Sequence, residues 1–295
     1  MRIKLILTSL FLISIGLISG CTPTSSTTNA DPDSVAIVES DSGTSEFQII
    51  VPANDMHVGE PRIPFIIRDG DNMVREINQV FLTVLDINTQ PYSVVWEGPA
   101  INYSDYTVPY WVFHPEIETA GNYGIRANIL ATDGSTSQAQ FAVAILEDSI
   151  APGIGDAGIL SESRTAFDLE SIKIISSDFQ EPDPELYSMT VAEALGNGRP
   201  TVISFSTPAY CATAFCAPVL QTVKDVKAVK SDEINFLHVE IFSDFQEFIT
   251  DQTVLDWELQ SEPWTYVLDA DGIVTARLAG PVSATELESH LLFNQ

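Results

Sequence analysis

Apolar and polar residues alternate in short runs from about residue 46 to residue 147. The runs are rich in β-branched and aromatic residues, and turn residues separate them, which is typical of strands. The last run predicts a hairpin that turns at residues 133–135. We therefore predict an all-β antiparallel sandwich over residues 46–147. The strand-like runs are FQIIV, RIPFIIRDGDN, VFLTVLD, YSVVWEG, PYWVFH and the long run that begins GNYGIRANIL.

Strand and helix patterns alternate in the last third of the chain. Val219, Val223 and Val226 share one face at helical spacing. Thr190 and Glu193 have the form of a capping box that opens a short helix. The main predicted order is strand, helix, strand, helix, strand, strand, helix. The predicted strands cover 201–206, 234–241, 264–268 and 273–278, and the predicted helices cover 218–230, 244–259 and a segment capped by Ser283.

Two less patterned stretches divide the chain. Residues 21–45 are rich in Ser, Thr, Asp and Pro, which predicts a flexible linker. Residues 148–184 contain small residues and an acidic proline-rich turn, and we interpret them as a connector. A chain of 295 residues is long for one core and suits two domains. The predicted fold class is a β-sandwich over 46–147 and an α/β domain over 185–295.

The first 20 residues carry a targeting pattern. Arg2 and Lys4 precede an apolar run, and small residues follow it directly before Cys21. The ending resembles the lipobox of bacterial lipoproteins, which implies a signal peptide at 1–20 and lipidation of Cys21. The alternative is an ordinary secretory signal, or a short anchor helix, with an incidental cysteine. The resemblance implies a cell-membrane protein, anchored by lipid and facing the periplasm or the exterior.

The chain is strongly acidic, with a formal net charge of −28. Removal of residues 1–20 would leave 11 basic and 41 acidic side chains, a balance of −30. Such a charge disfavours nucleic acid as a partner. The lipid bilayer would then be contacted through the Cys21 anchor.

Cys211 and Cys216 lie five positions apart, where a strand pattern gives way to a helix pattern. A thiol at the start of a helix faces unpaired backbone N–H groups and the positive end of the helix dipole, which favour its thiolate. A loop this short gives a disulfide little entropic stabilisation. We therefore interpret the pair as redox-active, with a structural disulfide as the alternative.

Over residues 185–295 the chain resembles a thioredoxin-fold protein. The resemblance depends on the cysteine pair between the first strand and helix, on the strand order, and on Pro263 directly before the hairpin. It implies that Pro263 is cis and lies against the thiols. Glu262 and Trp264 would flank them and influence partner choice, although Trp264 also suits a core position. The implied activity is thiol:disulfide oxidoreduction with extracytoplasmic protein thiols or disulfides, and no cofactor is required. The short alternating strands over residues 46–147 predict a sandwich of immunoglobulin type. The turn at 120–123 also resembles one in extracellular sandwich domains.

The cysteine motif departs from the usual CxxC, because four residues separate the cysteines and Ser204 stands where the family often buries a carboxylate. This departure weighs against general dithiol reductase activity. Counting from the strand favours Cys211 as the nucleophile. Alignment of Cys216 and Pro218 with the family motif puts Cys216 at the helix N-cap, and we prefer Cys216 on that geometry.

Three other functions remain open. Cys211, Cys216 and His238 could form a copper site of the kind found in thioredoxin-like assembly factors, because thiolates and imidazole suit copper. A core role for His238 is the commoner alternative. Thr213 precedes Cys216 by three residues, which resembles the TxxC of peroxiredoxins, with Pro208 out of register. The α/β domain could also be a non-catalytic adaptor.

Overall fold

The computed structural model describes residues 47–292, which belong to one compact unit rich in β-structure. The predicted signal peptide at 1–20, the Cys21 lipidation residue and the linker at 21–45 lie outside these residues. None of the helices in this described part combines the length and hydropathy needed to cross a bilayer.

Strands between residues 48 and 145 form two antiparallel sheets. They are β1 (Gln48–Ile50), β2 (Ile63–Asp69), β3 (Asn72–Met73), β4 (Ile77–Asp86), β5 (Ser93–Pro99), β6 (Ile101–Tyr103), β7 (Tyr110–Phe113), β8 (Gly121–Ala131) and β9 (Thr136–Ile145). One sheet has the order β1–β2–β7–β6, with β3 paired to β2, and the other has the order β5–β4–β8–β9. The predicted hairpin joins β8 to β9.

A hydrophobic core fills the space between these two sheets. Alternate side chains of β8 are buried, as the period-two pattern predicts. Strand β2 differs, because the run from Ile63 to Ile67 is buried on both of its faces. Ile63, Phe65 and Ile67 contact the sandwich core, whereas Ile66 belongs to a second cluster that includes Phe215 from the C-terminal part. One sheet of the sandwich therefore packs on the C-terminal part.

The C-terminal part is a mixed sheet with helices on both faces. Its elements are α1 (Leu169–Ile175), a 3-10 helix (Pro184–Tyr187), α2 (Val191–Gly196), β10 (Thr201–Ser206), α3 (Cys216–Lys230), β11 (Asn235–Glu240), β12 (Phe242–Asp244), β13 (Ile249–Thr250), α4 (Gln252–Asp256), β14 (Trp264–Leu268), β15 (Val274–Ala279) and α5 (Ala284–Leu292). The sheet has the order β11–β10–β14–β15, and only β10 and β11 are parallel. The predicted capping box at Thr190 and Glu193 is confirmed.

The predicted helix over 244–259 is wrong for most of its length. β12 and β13 form a small hairpin, and only the short α4 follows it. The Asp244 carboxylate accepts the backbone N–H groups of Gln246 and Glu247, and these bonds stabilise a turn where the apolar spacing predicted a helix. Asp251 then caps α4 by accepting the N–H of Thr253.

The stretch at 148–184 packs closely on the C-terminal sheet. Gly158 donates its N–H to the Gly272 carbonyl at 2.8 Å. A Cβ atom at Gly158 would lie 2.5 Å from a Leu268 methyl carbon, so any larger residue would force the buried leucine side chain to shift. Further along, Asp178 accepts a 2.7 Å hydrogen bond from Lys224 of α3. The stretch is therefore fixed on both the sheet and α3.

Two buried ion pairs join the sandwich to the C-terminal part. Arg62 donates to both carboxylate oxygens of Glu286, at 2.7 and 2.9 Å, and also to the carbonyls of Ala279 and Pro281. Tyr110 donates to the same carboxylate at 2.6 Å. The second pair joins Asp55 to Arg277. We call the first set, Arg62, Tyr110 and Glu286, the charge bridge.

Candidate active site

Cys211 and Cys216 form a disulfide at the junction between β10 and α3, with their Cα atoms 6.0 Å apart. The predicted place of the pair between strand and helix is therefore confirmed. Cys216 is the first residue of α3, and Phe215 occupies the N-cap without a side-chain hydrogen bond. The expectation that Cys216 is the N-cap residue is wrong by one position. Its sulfur still lies in the first turn, beside the unpaired N–H groups.

The two cysteines differ in exposure. Cys216 has no exposed surface, whereas Cys211 is partly exposed in the loop. The Thr213 hydroxyl lies 3.3 Å from the sulfur of Cys211. The resemblance to the TxxC of peroxiredoxins predicted instead that this hydroxyl would act beside Cys216. A hydroxyl at this distance can donate a hydrogen bond to a thiolate. Cys211 is therefore the more exposed cysteine, and the Thr213 hydroxyl lies beside its sulfur.

The loop before β14 closes the other side of the site. The peptide bond between Glu262 and Pro263 is cis, as the resemblance implies. Glu262 accepts the N–H of Ala212 at 3.1 Å, which connects this loop to the cysteine loop. One of its oxygens and both sulfurs lie within 4.8 Å of one another. Glu262 therefore lies beside the disulfide, and the cis peptide bond joins it to Pro263.

Trp264 lies in the hydrophobic core, which was the alternative predicted for it. Its side chain is only 2% exposed, stacks with the Tyr266 ring at 5.8 Å and lies under the Arg277 guanidinium at 4.9 Å. A side chain enclosed in this way has no surface to offer a partner. The predicted role of Trp264 in partner binding is therefore not supported by its burial.

His238 is a core residue on β11, away from the metal-ligand set predicted for it. Its Nδ1 lies 2.7 Å from the Tyr187 hydroxyl, and its Nε2 lies 3.0 Å from the Ser206 hydroxyl. Burial lowers the pKa of its imidazole, so the ring is neutral near pH 7. Within residues 47–292, the cluster that could hold a metal comprises Cys211, Cys216 and Glu262, without His238.

A buried carboxylate that was not among the predicted site residues lies at the end of β11. Glu240 is 2% exposed and accepts hydrogen bonds from the N–H and hydroxyl of Ser177, at 2.7 and 2.6 Å. The same hydroxyl accepts the N–H of Ala209, two residues before Cys211. Ser204, expected in place of a family carboxylate, is buried beside Ser206. A charged residue inside the apolar run INFLHVEIF was the signal for Glu240.

Phe215 connects the site to the sandwich. It is 5% exposed and packs with Ile66, Val108, Tyr110 and Val112. Because Phe215 directly precedes Cys216, these contacts hold the start of α3. The sandwich therefore contributes to the position of the buried cysteine.

Neither a protein-family model nor a curated protein matches the sequence. Several solved structures show remote likeness. A thiol:disulfide interchange protein of the thioredoxin family from Chlorobium tepidum TLS has 13% identity, covers 50% of this chain and 97% of its own, and has a TM-score of 0.30. CopC from Methylosinus trichosporium OB3b has 15% identity, covers 32% and 84%, and has a TM-score of 0.24. A human fibronectin type-III domain has 10% identity, covers 37% and 94%, and has a TM-score of 0.18. At these values none of them assigns a function to this chain.

Proposed function

We propose that this protein is a thiol:disulfide oxidoreductase whose Cys211–Cys216 disulfide oxidises dithiols of extracytoplasmic proteins. The observation that carries the proposal is a disulfide with one partly exposed cysteine, placed at the start of a helix and beside Glu262, which a cis peptide bond joins to Pro263. The proposal includes a thioredoxin-like domain at 185–295, an immunoglobulin-like sandwich at 46–147 and a membrane tether through Cys21.

The difference in exposure assigns a role to each cysteine in this proposal. A partner thiolate attacks the Cys211 sulfur, the Cys211–Cys216 bond breaks, and Cys216 leaves as a thiolate that the start of α3 stabilises. The second partner thiolate attacks the partner sulfur of the mixed disulfide and releases Cys211 as a thiolate. The partner loses two electrons and becomes a disulfide, the protein gains them as a dithiol, and protons exchange with water. This assignment reverses the sequence-based preference for Cys216.

Single serine substitutions test this assignment. In Cys216→Ser, the accessible Cys211 thiol should form a mixed disulfide with oxidised glutathione at least about tenfold faster than the buried Cys216 thiol does in Cys211→Ser. Mass spectrometry of alkylated samples measures both rates. The proposed function fails if the wild-type pair does not equilibrate with glutathione buffers in the folded protein. Faster reaction of Cys211→Ser would reverse the roles.

Glu262 should lower the reduction potential of the pair. Its carboxylate lies within 4.8 Å of both sulfurs and disfavours thiolates there by like-charge repulsion. At that separation in a partly solvated site, a unit charge contributes on the order of 1 kcal/mol. We expect Glu262→Gln to raise the potential by roughly 10–30 mV at pH 8, measured in glutathione buffers. Glu258→Gln, an exposed carboxylate before the same loop, should leave the potential unchanged, and an equal shift in both variants would contradict the argument.

A metal-handling function is the second candidate, and the proximity of Cys211, Cys216 and Glu262 is the observation that favours it. Two thiolates and a carboxylate suit zinc, and thiolates also suit Cu(I). Such binding would require the reduced protein, because disulfide sulfurs are not thiolates. Stoichiometric binding of either ion to reduced protein that is lost in Glu262→Gln would support this function. Retained binding would exclude Glu262 as a ligand.

A further inference from the structure

Five aromatic side chains form a connected group that reaches the cysteine loop. Tyr210, the residue before Cys211, stacks on Phe245 with ring centroids 5.4 Å apart, and Phe248 meets the same tyrosine ring edge-on at 5.5 Å. Phe242 contacts Phe248, and Phe179 contacts both Tyr210 and Phe245. We call these five residues the aromatic surface.

The aromatic surface is open to solvent. Phe179 and Phe248 are each 52% exposed, and the other three are half-buried. Phe248 also has a φ of 51°, in the left-handed region that aromatic residues rarely adopt. Contiguous aromatic side chains left exposed in this way mark interaction surfaces more often than scattered apolar residues do. This surface is built from the hairpin of β12 and β13, the cysteine loop and the connector.

The charges around the aromatic surface are negative. Asp244 and Glu247 lie in the same hairpin, and backbone hydrogen bonds from Glu247 and Gln246 lower the pKa of the Asp244 carboxyl, which keeps it ionised. Glu262 lies on the side of the disulfide. The nearby Arg164 already pairs with Asp251 and donates to the Phe242 and Ser243 carbonyls. A partner of positive charge therefore complements this region.

We propose that the aromatic surface binds an extended segment of the partner protein, in which aromatic side chains flank the reactive cysteine and Lys or Arg residues lie on either side. The inference rests on the proposed function, because Tyr210 directly precedes Cys211 and the bound segment would bring its cysteine to the cysteine loop. The aromatic side chains would pack on the exposed phenylalanines, and the basic residues would face Asp244, Glu247 and Glu262. The aromatic surface thus selects the substrate before any bond is exchanged.

Calorimetric titration of the full chain with synthetic peptides tests binding separately from chemistry. The probes are acetylated and amidated Lys-Phe-Ser-Phe-Lys, in which serine replaces the cysteine, Lys-Ser-Ser-Ser-Lys and Glu-Phe-Ser-Phe-Glu. We expect the first peptide to bind at least about tenfold more tightly than either of the others, with the advantage over the glutamate peptide reduced in high salt. Equal affinities for all three peptides would overturn the proposal.

Matched variants locate the binding. The double variant Phe179→Ser and Phe248→Asn should weaken binding of Lys-Phe-Ser-Phe-Lys about tenfold, and asparagine tolerates the left-handed backbone at position 248. Phe167→Ser removes a phenylalanine that is 79% exposed but lies outside the aromatic surface, and it should change the affinity less than twofold. Equal losses in both variants would overturn the assignment.

Binding without exchange by the cysteine form of the peptide would count against the proposed function alone. Exchange with glutathione without peptide preference would count against the aromatic surface alone.

Discussion

Replacement of Glu286 with alanine should lower the free energy of unfolding by about 3–5 kcal/mol, because it leaves the buried Arg62 guanidinium without a counter-charge. The two side chains are only 4% and 6% exposed, so water cannot take over the lost contacts. Tyr110 would lose its acceptor in the same substitution. Denaturation of the full chain in urea, followed by circular dichroism, measures the change.

Glu288→Ala is the matched control, since Glu288 lies exposed on the same helix, and it should change stability by less than about 0.5 kcal/mol. Burial raises the pKa of the Glu286 carboxyl, but the charge and hydrogen bonds of Arg62 and a hydrogen bond from Tyr110 outweigh it, so the pKa lies below its usual value. The stabilisation from Glu286 is therefore complete above its unfolded pKa of about 4.3, and is lost as pH falls through the lower folded pKa. Similar losses at position 288 would refute the charge bridge.

Phe215→Ala is the second substitution with a large expected effect. It removes a ring that is 5% exposed and packed among side chains of β2 and β7, which should cost about 3–5 kcal/mol through lost burial and a residual cavity. Because Phe215 is the N-cap of α3, the start of that helix should also loosen around Cys216. We expect faster alkylation of Cys216 in the reduced Cys211→Ser background.

Phe215→Leu tests whether packing alone explains these effects. Leucine keeps most of the apolar contact, and neither phenylalanine nor leucine can cap the helix with a side-chain hydrogen bond. It should recover more than half of the lost stability and slow the alkylation of Cys216 again. If Phe215→Ala destabilises the protein but leaves Cys216 as inert as before, the sandwich does not control access to that sulfur.

The elements that were predicted correctly are those in which a single local sequence pattern determines the structure. Alternation identified β8 and β9, and the capping box identified α2. The apolar run in β2 reads as an ordinary strand, yet its second face contacts the C-terminal part, a long-range packing that local periodicity does not encode. The prediction of a helix over 244–259 was wrong. Hydrogen bonds to the Asp244 carboxylate form a turn there, and contacts between aromatic rings favour the hairpin over the helix that the apolar spacing indicated.

The sequence predicted the reactive residues of the candidate site better than it predicted the residues that surround them. The cysteine pair lies where strand gives way to helix, the peptide bond before Pro263 is cis, and Glu262 lies beside the sulfurs. The sequence did not show that Cys216 is buried or that the residue before it, Phe215, packs on the sandwich, because both depend on long-range packing. The sequence also did not place Glu240 near the cysteine loop. The link between them is Ser177, which bonds to both Glu240 and Ala209 and lies in the stretch that was predicted to be a connector.

Strand β7, like β2, is buried on both of its faces, and this burial has a practical consequence for producing fragments of the protein. A sandwich expressed without residues 148–292 would present Ile66, Val112 and Tyr110 to solvent, because these side chains belong to the cluster completed by Phe215. Exposed apolar strand faces of this kind promote self-association. The two parts should therefore be handled as one cooperative folding unit, and the solubility of either fragment alone is a poor guide to the intact chain.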